Sequence, residues 1–290
     1  MPSASIERIA DKADVQRMKL NSGFRRLLLL SPPHARIPAS FQSVSYDPER
    51  YNALVHQTQR LRGAIYLEDG AIDESRLTNG RHVVESDQHS WHLLVLDAEG
   101  GICGCTRYRH HESGVQFGSL AVSESSLASC SAWGAKVRSA VGEELTLSRA
   151  LDLPFVEVGG WAVAEPIRNT VEALRMVLAS YALFRTFGGA VGLATATARH
   201  SSASILRRIG GRPLEYSGQS MPPYVDSQYN CRMEMLRFYS WAPNPRFDSW
   251  IAEIGREIQS TPVISGMPHE LAWMNVASPV FSRQCPAESC

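Results

Sequence analysis

The sequence predicts an α/β fold, and three observations carry that prediction. Residues 90–97 (SWHLLVLD) and 102–108 (ICGCTRY) flank an Asp97-Ala98-Glu99-Gly100-Gly101 turn, which makes a β-hairpin. Residues 155–163 (FVEVGGWAV) read as a strand that runs through a short loop into a long amphipathic helix at 170–187. A buried strand at 190–197 and a final alternating strand at 229–238 bracket a short helix at 201–209. Strands interleaved with helices place the chain in this class.

In chain order, residues 1–45 are expected to be an N-terminal extension. It carries a short helix at 6–20, then breaks at Ser31-Pro32-Pro33 and Ile37-Pro38. Residues 46–240 are expected to be the α/β domain. Its first helix covers 51–66, where Leu54, Val55, Leu61 and Ile65 recur at helical spacing. In the strand at 155–163, Gly159-Gly160 interrupts the apolar run and signals a bulge or a close backbone approach to a ligand. The helix at 170–187 aligns Val171, Leu174, Leu178, Tyr181 and Phe184. Asn169 is expected to cap it, with Glu172 completing a capping box, and Gly188-Gly189 ends it. Residues 241–290 are expected to be a C-terminal extension. Its one helix, at 247–258, puts Trp250, Ile251, Ile254 and Ile258 on one face; Pro262, Pro268, Pro279 and Pro286 mark an irregular tail.

The 290 residues hold 29 Lys+Arg against 29 Asp+Glu, a formal net charge of zero. A nucleic-acid coat needs a basic excess, so no nucleic-acid partner is expected. A hydrophobic fraction of 44% supplies a core and excludes full disorder. No apolar run approaches the roughly 20 residues of a membrane helix; the longest candidate, 27–30, is a short stub closed by Pro32 and Pro33. With Glu7, Asp11 and Asp14 near the start, no signal peptide is read, and a cytoplasmic protein is expected.

The six cysteines form no CxxC pair, so neither a disulfide framework nor a metal site is expected. Cys103 and Cys105, two apart in a strand, should face one side of it, and His110-His111 should face solvent at the strand end. The only lysines are Lys12, Lys19 and Lys136. The rest of the cationic charge is arginine: either a coding bias or a supply of planar forks for carboxylates and phosphates.

The stretch richest in chemistry is Val163-Ala164-Glu165-Pro166-Ile167-Arg168-Asn169-Thr170-Val171-Glu172-Ala173, where a strand opens a helix. The first N–H groups of a helix lack internal acceptors and suit an anion, which Arg168 could reach. An ordinary capped helix gives the same pattern. This stretch resembles the phosphate loop of the GNAT acyltransferase superfamily, Arg/Gln-x-x-Gly-x-Gly/Ala. Arg168 and Ala173 match, while Val171 stands in a glycine place.

Within the superfamily the chain looks most like the branch of autoinducer (acyl-homoserine lactone) synthases and long-chain N-acyl amino acid synthases. Arg62-x-x-x-Tyr66 is similar to its Arg-x-x-x-Phe. Asp87 resembles its aspartate before the hairpin, Gly104-Cys105-Thr106-Arg107-Tyr108 its Gly-x-x-Arg-Leu strand, and Glu157 its fourth-strand glutamate. Gly160 stands where that branch has arginine, and Leu206 where many GNAT enzymes have a tyrosine acid.

The resemblance implies a central, mostly antiparallel mixed sheet with a splayed strand pair, flanked by helices. It implies N-acyl transfer from a thioester to a small amine, such as an amino acid. The donor is acyl-CoA or an acyl-phosphopantetheine on acyl carrier protein, and no cofactor is bound permanently. Trp161, Ala162, Val163 and residues Arg168, Asn169, Thr170, Val171, Glu172 and Ala173 are implied donor contacts. Glu157, Arg107 and Asp87 are implied in catalysis, with Glu157 as the base. Arg62, Tyr66, Tyr224 and Tyr229 are implied in substrate binding. A degenerate domain that binds without turnover, and an autoinducer synthase proper, are the alternatives.

The zero net charge is a sum of unlike regions. Residues 47–100 hold ten acids and five arginines, whereas 165–237 hold nine arginines and five acids. The second region is expected to attract an anionic donor.

Overall fold

A computed structural model describes residues 25–168, 170–268 and 271. The strands are β1 (Arg26–Ser31), β2 (Val44–Tyr46), β3 (Trp91–Leu96), β4 (Ile102–His111), β5 (Phe155–Val163), β6 (Val191–Thr197), β7 (Arg212–Pro213), β8 (Glu215–Tyr216), β9 (Gln219–Ser220), β10 (Tyr224–Asp226), β11 (Cys231–Tyr239) and β12 (Val263–Ser265). The α-helices are α1 (Pro48–Glu68), α2 (Gly134–Ala150), α3 (Val171–Thr186), α4 (Ser202–Arg208) and α5 (Asp248–Ser260). Ten strands form one mixed sheet in the order β10-β11-β6-β5-β4-β3-β1-β12-β2, with β7 also on β11; β8 and β9 form a separate hairpin. The β5–β6, β1–β12 and β12–β2 pairs are parallel, and the other pairs of the large sheet are antiparallel.

Helices α3 and α5 cover one face of this sheet, burying Val177, Leu178, Tyr181, Ile251, Ile254 and Ile258 against Val156, Ala194, Leu236 and Phe238. On the other face, α1 covers the β1–β3–β4 end and α2 the β6–β11 end. The expected helices at 51–66, 170–187, 201–209 and 247–258 and the hairpin are all present. Asp47 caps α1 by accepting from the Arg50 N–H at 2.9 Å. For α3 the cap is Thr170, whose hydroxyl accepts from the Glu172 N–H at 3.2 Å. The expected cap Asn169 lies outside the described residues, as do the helix expected at 6–20 and Pro279, Pro286, Cys285 and Cys290.

Three local expectations change. The stub at 27–30 is β1, which lies between β3 and β12, and β12 also joins the sheet from beyond residue 240. Leu27 and Leu29 enter the core under α3 and α5, and Leu28 and Leu30 the core under α1. A strand covered on both faces needs an unbroken apolar run and shows no alternation. Secondly, Cys103 and Cys105 are both buried but face opposite sides. Cys103 is the extra residue of a bulge, because Leu96 pairs with Ile102 and Val95 with Gly104. Thirdly, His110 and His111 are not solvent-facing: His111 is buried, and His110 packs edge-on against Phe187, ring centroids 4.7 Å apart.

The helix α2 went unread. Its stripe of Val137, Ala140, Val141, Glu144, Leu145 and Ser148 has helical spacing, but two members are polar. Glu144 is buried because Arg237 and the Tyr239 hydroxyl each donate to it at 3.1 Å. Among the described residues no helix is long and apolar enough to cross a membrane.

The functional consequence of the topology lies at β5 and β6. They pair from Phe155–Val191 to Val158–Ala194, and there the pairing stops, although β5 continues to Val163 and β6 to Thr197. The strands splay, and the edge of β5 beyond Gly159 has no strand partner on the β6 side.

Because β1 is central, Leu29→Ala is expected to cost about 2–5 kcal/mol of stability. The exposed Leu151→Ala should stay within about 0.5 kcal/mol. Denaturant unfolding of the two variants checks this.

Candidate active site

The splay opens a cleft of about 830 Å³ that passes through the sheet. On the α3 side it is lined by Arg168, Thr170, Ala173, Leu174 and Val177. On the other side it is lined by Arg107, Arg109, Glu157, Tyr66, Tyr224, Tyr229 and the turn at 118–125. The splayed β5 segment, Trp161, Ala162 and Val163 included, forms a wall between them.

Behind the cleft lies a buried charge cluster. The Asp87 carboxylate has no exposure and accepts from Arg62 at 2.9 and 2.6 Å, from Arg107 Nη1 at 2.9 Å and from Gln59 at 3.0 Å. Burial alone raises its pKa, but the hydrogen bonds and charge of Arg62, and then the charge of Arg107, hold it well below the usual carboxylate range. His92 Nε2 donates to the Asp87 carbonyl at 2.7 Å, and Arg62 Nη2 to the His82 carbonyl at 2.7 Å.

This geometry corrects two expectations. Arg62 is 1% exposed and Asp87 fully buried, so neither touches the cleft. Their hydrogen bonds go to each other and to His82, Gln59 and Arg107, and their effect on a ligand passes through Arg107. Arg107 does line the cleft and gives only Nη1 to Asp87.

The expected bulge is present. Cys105 pairs with Ala162 and Arg107 with Gly159, so β5 carries an extra residue here. Gly160 has φ +64°, and a Cβ there would meet Arg62 Nη1 at 3.2 Å and Arg107 Cγ at 3.4 Å. A side chain in this place would be strained at that φ and would press on both arginines.

Glu157 lines the cleft on the same face as Arg107. Its carboxylate accepts from the Ala121 and Val122 N–H groups, each at 3.0 Å, and its Oε2 lies 2.9 Å from His111 Nε2. Burial raises its pKa, and these hydrogen bonds, that of His111 first, more than offset it and hold the group low. The turns at Phe117–Ser119 and Ala121–Glu124 are thereby fastened to the sheet.

Of the expected donor contacts, Trp161, Ala162, Val163, Arg168, Thr170 and Ala173 line the cleft. Val171 and Glu172 do not; Glu172 is buried in an ion pair with Arg175 at 2.9 Å, and the capping box expected with Asn169 lies outside the described residues. The Arg168 Nε donates to the Val163 carbonyl at 2.9 Å, and its fork lies 3.4 Å from Glu68 and 3.7 Å from Asp69. Leu206 lines the cleft, with no hydroxyl to offer. Tyr66 donates to the Trp161 carbonyl at 3.3 Å and meets Tyr229 edge-on at 6.0 Å.

Sequence reasoning missed Arg109, the turn at 118–125 and the Ser202, Ser204 and Arg208 side of α4, all lining the cleft. Arg109 was legible by alternation from Arg107; the turn, rich in serine and glycine, carries no periodic signal. Among the described residues no cluster of three or more His, Cys, Asp or Glu is placed to hold a metal.

Asp87→Asn leaves two arginines facing an uncharged amide and is expected to cost about 3–5 kcal/mol in denaturant unfolding. The imidazoles of His82, His92 and His110 give a second expectation. Burial first, joined by Arg62 near His82 and His92, pushes each down to about 4. A base with a depressed folded pKa stabilises above its unfolded value and loses that contribution as pH falls through the window to the folded value. Thermal unfolding temperature should therefore drop between about pH 6.5 and pH 4; a flat profile there would contradict the neutral buried imidazoles.

No family model matches the chain, and no curated protein matches it. Among solved structures the chain is similar to a CoA-dependent acyl-homoserine lactone synthase, BjaI, with SAM and isopentyl-CoA, at 13% identity over 87% of this chain and 100% of the other, TM-score 0.48. It is similar to FeeM, an N-acyl amino acid synthase from uncultured soil microbes, at 15% identity over 74% and 92%, TM-score 0.43. It is also similar to arylalkylamine N-acetyltransferase 2 from Aedes aegypti, at 14% identity over 68% and 97%, TM-score 0.42.

Proposed function

We propose that this protein is an N-acyltransferase that moves an acyl group from a thioester to the amine of a small acceptor. The observation that carries this reading is the loss of β5–β6 pairing after Val158–Ala194, which opens a cleft through the sheet beside unpaired backbone. A pantetheine arm is an extended chain with amide groups, and such chains bind by pairing with a free strand edge. The edge beyond Gly159 supplies one, and an N–H directed at the thioester carbonyl would stabilise the oxyanion. The start of α3, with Thr170 and Arg168, receives the anionic end of acyl-CoA or of an acyl-phosphopantetheine on acyl carrier protein.

The acceptor enters from the opposite face. Arg107, pinned through Nη1 by Asp87, presents Nε and Nη2 to its carboxylate. The amine arrives as an ammonium ion and must lose a proton before its nitrogen attacks the thioester carbon. Glu157 takes that proton, directly or through water. The tetrahedral intermediate then collapses to the amide and a thiolate, which leaves without an acid at Leu206. The hydrogen bonds that hold Glu157 in place also weaken it as a base, so the rate should rise with pH as more acceptor is neutral.

A second reading, binding without turnover, is favoured by one observation: Arg168 already contacts Glu68 and Asp69. Free-thiol release from acyl-CoA and acyl carrier protein donors, with mixed amino acids and with a lactone assay alongside, separates the readings. The acyltransferase predicts thiol release and a loss of about 100-fold or more in kcat for Glu157→Gln, measured at a temperature where that variant is shown to be folded. It also predicts a donor KM that rises with salt and in Arg168→Ala. Thermal stabilisation by thioester with no thiol from either donor would establish the binding-only reading instead.

A further inference from the structure

The acceptor face of the cleft carries more positive charge than one carboxylate needs. Asp87 is a single carboxylate between two guanidinium groups, Arg62 and Arg107, so that cluster keeps one positive charge in excess. The excess is directed at the cleft. A Cβ on Gly159 would stand 3.8 Å from Arg107 Nη2 and 3.9 Å from Nε, and the glycine leaves this edge uncovered.

Arg109 lies two residues along β4, on the same face and about 7 Å away by strand geometry, and it too lines the cleft. Its direct cross-strand neighbour is Glu157, the acid expected to pair with it. The oxygens of Glu157 are instead engaged by His111, Ala121 and Val122. Among the described residues Arg109 makes no ion pair or side-chain hydrogen bond. Of the other acids that line the cleft, Glu85 and Glu124 stand at exposed positions of the rim, the buried Asp226 accepts from the Gln228 N–H at 2.9 Å, and Asp69 lies 3.7 Å from Arg168.

A half-buried arginine opposite an acid that is fully engaged elsewhere is a poor choice for stability and a good one for recognition. We infer that Arg107 and Arg109 form a two-arginine site for an acceptor with two carboxylates, an α-amino acid with an acidic side chain. Arg107 takes the α-carboxylate through Nε and Nη2, and Arg109 takes the side-chain carboxylate. This puts the α-amine between them and the splayed strand and gives Arg109 the role of specificity determinant. The assignment of the bound molecule as acceptor rests on the acyl-transfer reading; the recognition itself does not.

Calorimetric titration of the full chain without donor tests it, with L-glutamate and L-glutamine as probes at low salt. L-glutamate is expected to bind at least about tenfold more tightly than L-glutamine, the discrimination due to one charged hydrogen-bonding partner. Arg109→Gln should abolish that preference at unchanged unfolding temperature, Arg109→Lys should keep part of it, and Arg107→Gln should weaken both ligands. Equal binding of the two probes, no binding of either, or an undiminished preference in Arg109→Gln overturns the proposal. A preference for glutamate without thiol release in any assay upholds this recognition while overturning acyl transfer.

Discussion

The carboxylate of Asp87, sealed between Arg62 and Arg107, is the interaction on which the rest of the site depends. A carboxylate without solvent is costly unless its charge and lone pairs are answered, and here two guanidinium groups and an amide answer them. The three charges come from three elements: α1, the turn at Glu85–His89 before β3, and β4. Each can sit where it does only if the other two are in place. The cluster therefore fixes α1 on the sheet and holds Arg107 rigid at the cleft wall. It also favours a glycine at 160, where the strand passes close to Arg62 at a positive φ.

That glycine links the cluster to the splay. With φ at +64°, Gly160 adds one residue to β5 relative to β4 and turns the strand just past the last β5–β6 pair. A bulge and a lost ladder in the same few residues leave backbone groups that a soluble fold would normally pair. The hydrogen bond from Tyr66 to the Trp161 carbonyl and that from Arg168 to the Val163 carbonyl satisfy part of this segment from the side chains around it. The remainder gives the cleft an edge that can add a further extended chain.

Much of the architecture was legible. The hairpin, β5, α3, β6, α4 and α5 follow from apolar periodicity and from glycine ends. The bulge at Gly159-Gly160 followed from glycine in an apolar strand. Where reading failed, a specific interaction overrode the local pattern. The four leucines of β1 show no period because both faces of the strand are covered. The stripe of α2 is broken by Glu144, which is neutralised by an arginine almost a hundred residues away. Cys103 and Cys105 face apart because a one-residue bulge inverts a period of two.

The sequence by itself determined which residue types are available: a strand that opens a capped helix, glycines in the strand, and an arginine-rich chain with balanced charge. These follow from interactions within a few residues, and local spacing records them. Only the tertiary structure decided how the charges are shared. It buried Arg62 with Asp87 and left two edges of Arg107 free. It engaged Glu157 with a turn 36 residues earlier in the chain and so left Arg109 facing the cleft alone. The physical reason is that electrostatic partnership depends on distance and burial in three dimensions. Residues far apart in the chain become partners only when the sheet brings their strands into register.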